Sequence, residues 1–237
     1  MPLEFSAAAY RYGHSQMRSG YTINNTVPTR PTFVPDSQLP PAGQVFERRR
    51  ADFRGFTRFG LPPQWTIDWP FFFQLDDQGP QPSLKIDTKI AGALTTALPG
   101  ANQDDADLRS LPRRNLLRGA ALGLPSGQWV ARAMDEVSLD PLQETPLWYY
   151  ILKEAETTQG GERLGPVGAR IVAEVLLGIL DSDPLSYLSV VPNWTPELTS
   201  QQAGIFTMAD LIRYAVPEPV VRRPGQGGTQ PSPWGGS

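Results

Sequence analysis

Cysteine is absent from the 237 residues. That excludes disulfides, thiolate nucleophiles, iron–sulfur clusters and cysteine-held zinc in this chain. Histidine occurs once, as His14. A cluster of imidazoles around a metal is therefore impossible. A charge of one sign is also missing: 21 basic and 24 acidic residues leave a net charge of −3. Such a balance creates no strong field for nucleic acid or an anionic membrane surface. No apolar run approaches the roughly 18 residues that a membrane span needs. Met1-Pro2-Leu3-Glu4-Phe5 lacks the basic start and apolar stretch of a secretory leader, so a cytoplasmic location is the default expectation. Catalytic loops are scarce too. There is no nucleophile elbow of the G-x-S-x-G type. Gly160-Gly161 is not followed by the Lys-Ser/Thr of a phosphate loop, and Gly225-Gln226-Gly227-Gly228 lies in a Pro/Gly-rich end. Asn24-Asn25-Thr26 and Asn193-Trp194-Thr195 match the glycosylation triplet and are read as chance matches.

Proline is what the chain has in excess, 25 residues, roughly twice average usage. Short elements joined by long, kinked connections follow from it. Apolar residues make up 40% and charged residues 19%, enough for a packed core.

Periodicity places a helix over residues 4–18, with Ala7, Tyr10, His14 and Met17 as one stripe. Residues 24–42, with five prolines, read as an extended loop. Residues 44–53 suggest a short helix carrying Arg48-Arg49-Arg50 on a solvated face. Residues 61–73 are dense in aromatics and read as a core anchor beneath a loop. Helices are further expected over 83–97, 104–118 and 126–134. Another starts at Thr145 as cap, with Pro146 at its first position. Residues 165–180 are apolar nearly all round and predict a buried helix. Thr207 and Asp210 bracket a last helix in capping-box fashion. The Pro/Gly/Ser-rich stretch 217–237 reads as a disordered tail. No strand pattern persists, so the expected fold is all-α with long Pro-rich loops. Residues 1–216 form one domain in this reading.

A lone imidazole suffices for one metal task, axial ligation of a haem iron. Arg11 lies three residues before His14, so the two share a helix face. A guanidinium is well shaped to pair with a carboxylate such as a haem propionate. Gly13 removes a side chain beside the candidate ligand, which could let a flat macrocycle approach. On residue types alone a lone histidine among Ala and Tyr is more often a satisfied core residue, as in an unrelated helical domain.

Ala8-Ala9-Tyr10-Arg11-Tyr12-Gly13-His14-Ser15 resembles the A-[FY]-R-[FY]-G-H signature of the proximal helix in the peroxidase–cyclooxygenase superfamily, the animal-type haem peroxidases. The chain is also similar to bacterial members in Ile67-Asp68-Trp69 with Phe72-Phe73, Lys85-Ile86-Asp87, Arg114-Asn115-Leu116-Leu117-Arg118-Gly119 and Gly123-Leu124-Pro125-Ser126-Gly127. Thr145-Pro146-Leu147-Trp148-Tyr149-Tyr150 and Leu164-Gly165-Pro166-Val167-Gly168 complete the series. These segments keep the family's order and span most of residues 3–216.

The resemblance implies a haem-peroxidase-like helical domain; the family's covalent haem links, where present, use carboxylates upstream of the proximal helix, so haem is expected here without covalent links. It implies His14 as proximal iron ligand and Arg11 as partner of a propionate. Asn115 is similar to the asparagine that accepts a hydrogen bond from the ligand's other ring nitrogen, fixing its tautomer. Arg118 matches a second arginine near a propionate. The implied activity is peroxide-dependent oxidation of an organic or halide donor. One departure touches Arg118: the family pattern R-[SD]-x-G-[IL]-P is here the longer Arg118-Gly119-Ala120-Ala121-Leu122-Gly123-Leu124-Pro125.

A second departure is larger. In the family a distal histidine moves the peroxide proton and a distal arginine stabilises the leaving oxygen. Both lie upstream of the proximal helix, and here the one histidine is already the ligand. The chain thus reads as the proximal half of such a domain. Its distal half would come from a second polypeptide, or be missing through truncation or a mispredicted start. The alternative is a non-catalytic haem-binding or interaction module. Without the other half, residues 165–180 and 65–73 are expected to leave apolar surface exposed.

Overall fold

A thirteen-residue helix, Leu147–Gln159, forms the axis of the core. Leu147, Trp148, Tyr150, Ile151, Leu152 and Ala155 are all buried along it. Each buried Leu or Ile among them contributes about 1.5–3 kcal/mol on leaving water. In the computed structural model of the chain, the described residues are 1–32, 34, 38, 41, 44, 63–77, 79–96, 109–140, 142–195 and 197–216. The expected helix over 44–53, the arginine run 48–50 and the tail 217–237 lie outside them, apart from Gln44.

Among the described residues the structure is mostly helical, with one small sheet. In chain order the α-helices are α1 (Leu3–Ala7), α2 (Gly13–Gln16), α3 (Gly92–Thr96), α4 (Leu111–Ala121), α5 (Gly127–Ala133), α6 (Leu147–Gln159), α7 (Pro166–Ser182), α8 (Tyr187–Val190) and α9 (Met208–Ala215). Strands β1 (Gly20–Tyr21) and β2 (Arg30–Pro31) pair antiparallel. The α6 axis packs against α4, α5, α7 and the opening segment of the chain. No helix among the described residues is long and apolar enough to cross a membrane.

The opening segment departs from the single helix predicted for 4–18. It runs as α1, a 3₁₀ turn over Ala9–Tyr12, and α2. The break falls at Ala8, whose φ of −130° and ψ of −72° are not helical. Ala8 and Ala9 are fully buried against the core. Tertiary packing has overridden a strong local helix preference. The supposed stripe fails with it, because Tyr10 turns outward and is 58% exposed.

Three other boundaries shift for identifiable reasons. Among the described residues of the expected 83–97 helix, only Gly92–Thr96 is helical, and residue 97 lies outside them. Upstream of it the backbone is spent elsewhere: the Leu84 N–H donates to Gln16 O at 3.0 Å, and the Ile86 N–H to Gly161 O at 2.8 Å. In the 104–118 segment, the helix starts at Leu111, with Ser110 as cap and Pro112 in its first turn. Pro112 therefore opens this helix rather than interrupting one. Thr145 does not cap α6; Pro146 holds that position. The Thr145 N–H instead donates to Gln128 Oε1 at 2.8 Å. The expected capping box of α9 is present, with Thr207 and Asp210 bonded reciprocally.

The aromatic segment anchors a second cluster in which Trp65 packs with Ile23, Val27 and Phe72. Arg30 lies over the Trp65 ring, 5.6 Å from its centroid. Asn24 ties this loop together. Its Nδ2 donates to the carbonyls of Gln64 and Thr66, both at 2.8 Å, and its Oδ1 accepts from Val27 N–H. Both amide hydrogens are used and the side chain is buried, which leaves no access for a glycan at this triplet.

Helix α7 is buried only in its first half, through Val167, Gly168 and Ile171. Leu176, Leu177 and Ile179 are exposed. The expectation of a wholly buried helix is thus corrected, and the apolar surface expected there is found. Trp69 and Ile67 are exposed as well, each at 39%.

Glu154 joins α6 to α7. Its carboxylate accepts the Val167 and Gly168 N–H groups, both at 3.3 Å, at the start of α7. Those donors otherwise lack intrahelical partners. Burial raises the Glu154 pKa above its ordinary 4.5, against the lowering effect of the two N–H bonds. An acid whose pKa is raised on folding binds more protons folded than unfolded. Stability from this group is therefore lost as pH rises from about 4.5 through the folded-state pKa. We expect urea midpoints of the native chain to fall with pH across that window relative to Glu154→Gln. Parallel profiles for the two proteins would contradict the assignment.

Candidate functional site

The opening segment and α4 meet at one point. Asn115, in the middle of α4, is fully buried. Its Nδ2 lies 3.0 Å from Nδ1 of His14. Its Oδ1 accepts from Arg11 Nη1 at 2.9 Å. Three of the four residues singled out by sequence thus touch one another, across a separation of 101 residues between His14 and Asn115.

The break at Ala8 helps to build this contact. A 3₁₀ turn has about three residues per turn, so residues three apart stand above one another. Arg11, in that turn, and His14, just beyond it, both reach the same amide. Arg11 is held at a second point, where its Nε donates to Ser6 O at 3.1 Å. The Trp148 indole N–H donates to the Arg11 carbonyl at 3.3 Å, so α6 fixes the backbone of the turn. Ser15, fully buried, donates its hydroxyl to Tyr12 O at 2.8 Å. The anchoring roles of Trp148 and Ser6 were not foreseen. No spacing rule links an indole at 148 to a carbonyl at 11.

His14 is half-buried. Burial first, and the neighbouring Arg11 charge second, lower its pKa below the ordinary 6.5. The ring is therefore neutral at neutral pH, the form that can offer a lone pair to a metal. No described residue hydrogen-bonds its Nε2.

Arg118 is not part of this group. It lies one turn beyond Asn115 on α4, with its side chain exposed. A Cβ built on Gly13 would meet no atom within 4 Å, so there is open space beside the histidine.

Among the described residues no group of three His, Cys, Asp or Glu could hold a metal ion. A haem iron asks for less. It needs one neutral imidazole with its second nitrogen engaged, room for a flat ring, and cations for two carboxylates. His14, Asn115, the space at Gly13 and Arg11 fit part of that donor set, while exposed Arg118 stands apart from them. One detail does not fit: the Asn115 atom facing His14 is the amide nitrogen. The other exposed feature of note is an apolar depression lined by Leu185, Tyr187, Val190, Val191 and Trp194. It shares no residue with the His14 group.

No protein-family model matches the chain, and no curated protein is similar to it beyond chance.

Proposed function

We propose that this chain supplies the proximal side of a haem site of the peroxidase–cyclooxygenase kind, with His14 as the axial iron ligand. The contact between His14 and Asn115 carries the reading. Two polar residues from distant segments meet as the resemblance pairs them, although the Asn115 atom facing His14 is the amide nitrogen and not the accepting oxygen that the resemblance implies.

When bound, haem would supply the capacity to take oxidising equivalents from peroxide and pass them to a donor. The chain's own residues bind and orient. His14 gives the lone pair of one ring nitrogen. Asn115 fixes the plane of that ring. Arg11 and Arg118 offer guanidinium groups to the propionates. Haem is held without covalent links in this reading. The single histidine of these residues is spent on ligation, so the group that moves the peroxide proton is another residue type, or belongs to chain outside them or to a partner polypeptide. Leu176, Leu177 and Ile179 give such a partner an apolar face to cover.

The same single histidine favours a second reading, a haem-binding module without peroxidase turnover. Adding peroxide and a donor to the loaded chain separates the two.

Titration with hemin is the direct test. A saturable Soret shift that survives desalting is expected. Gly13→Ala should not weaken the fold, because Gly13 has an ordinary helical φ of −58° and an added Cβ meets nothing. A helical Gly→Ala change contributes about 0.5–1 kcal/mol of stability. Hemin affinity should nevertheless fall on the order of tenfold, the cost of about 1.4 kcal/mol for a methyl pressed on the macrocycle. A native chain that stays colourless sinks the proposal. An unchanged affinity in Gly13→Ala removes the ring from this face.

A further inference from the structure

The hydrogen bonds around Asn115 have a fixed direction. A guanidinium only donates, so the Asn115 atom facing Arg11 Nη1 at 2.9 Å has to be the carbonyl Oδ1. The other end of the amide, Nδ2, then faces His14 Nδ1 at 3.0 Å. An amide nitrogen also only donates. Nδ1 therefore presents a lone pair, and the proton of the neutral ring sits on Nε2. That ring form cannot bind iron through Nε2. Rotating the amide by half a turn would correct the contact with His14, but it would set Nδ2 against the guanidinium, donor against donor. Arg11 thus dictates, through Asn115, which nitrogen of His14 carries the proton.

We propose that Arg11 is a positioning residue that makes His14 a carboxylate-dependent iron ligand. With Arg11 on Asn115, Nε2 is protonated and closed to metal. A carboxylate that draws the guanidinium away frees Oδ1. The amide turns, Oδ1 accepts from Nδ1–H, and Nε2 opens. The ring releases the Nε2 proton to solvent and takes one at Nδ1, so its charge does not change. A porphyrin carboxylate competes well for the guanidinium, since a charged, two-pronged pair is stronger than the bonds to the neutral Asn115 amide and the Ser6 carbonyl that hold it. The site therefore selects iron porphyrins with free propionates. This selection rests on the haem reading above; the link from Arg11 to the His14 proton does not.

A chain with one histidine allows a clean measurement. Ring ¹⁵N shifts of His14 report the tautomer directly in the porphyrin-free protein, taken near pH 8, above the ordinary histidine range of about 6.5. The native chain is expected to show the Nε2–H form. Arg11→Lys keeps a donor and should keep that form. Arg11→Met should raise the Nδ1–H population several-fold. Asn115→Asp accepts from both neighbours and should give mainly Nδ1–H with Arg11 in place. A native chain already in the Nδ1–H form overturns the proposal. So does an Asn115→Asp protein that remains Nε2–H, a result that stands even if Arg11→Met fails to fold. Hemin and its dimethyl ester form the second arm. The native chain should bind hemin at least tenfold tighter than the ester, and Arg11→Met should narrow that gap. An equal preference in both proteins overturns the carboxylate dependence. No binding of either porphyrin, with the tautomer shifts as expected, overturns the haem reading and leaves the Arg11 link standing.

Discussion

His14→Ala is expected to abolish the hemin Soret shift while the chain stays folded. Removing a residue that merely supports a ligand typically costs 10–100-fold in metal affinity, so removing the ligand itself should cost more than about 100-fold. The fold should survive the change. Asn115 loses one partner while Arg11 still holds its Oδ1, and one unsatisfied buried donor costs about 1–3 kcal/mol. Urea unfolding separates the two effects, because a misfolded chain would lose both together. Free imidazole should restore part of the band by entering the space that the ring vacates. A full-strength band in His14→Ala would show that hemin sits elsewhere, for instance against the apolar depression at α8.

The elements of this site were legible in the sequence to very different degrees. Arg11 and His14 could be placed on one face because they are three apart. Asn115 could not be tied to them by any local rule, since α4 begins nearly a hundred residues later; only the family resemblance pointed to it. The bond exists because α4 and the opening segment both pack on α6, which is a property of the core. The direction of the Asn115 amide was legible nowhere. It follows from Arg11 being a donor within reach, a fact of three-dimensional placement. The 3₁₀ turn was hidden for a related reason. Local preference in an alanine-rich run favours a continuous helix, whereas burial of Ala8 and Ala9 decides against it. Arg118 shows the limit of a helical-face rule. Three residues from Asn115, it shares the helix but not the contact. Local chemistry was legible where the partners were local, as in the Thr207–Asp210 box.

The fold itself should be most sensitive at Gly127. Glycine is required there by packing rather than by backbone freedom. A Cβ at this position would overlap the Tyr150 ring. Neither side can retreat easily. The Gly127 N–H donates to Thr145 O at 3.0 Å, which pins the start of α5. Tyr150 is 1% exposed, and its hydroxyl accepts the Leu139 N–H at 3.1 Å. One added methyl must therefore push α5 away from α6. Overpacking a core costs typically 1–3 kcal/mol and occasionally more; with both partners fixed, Gly127→Ala should lose about 3 kcal/mol. Gly178 is the control, since its added Cβ would meet nothing within 4 Å, and Gly178→Ala should not destabilise. If the overlap is the cause, Gly127→Ala combined with Tyr150→Leu should lose less than the sum of the single changes, because the smaller side chain makes room. Additive losses in urea unfolding would refute the overlap as the cause. The effect should also reach the site. Trp148, two residues from Tyr150 on α6, holds the Arg11 carbonyl. Prying α5 from α6 moves the helix that fixes the turn carrying Arg11, so hemin uptake should weaken in Gly127→Ala even at temperatures where the chain remains folded.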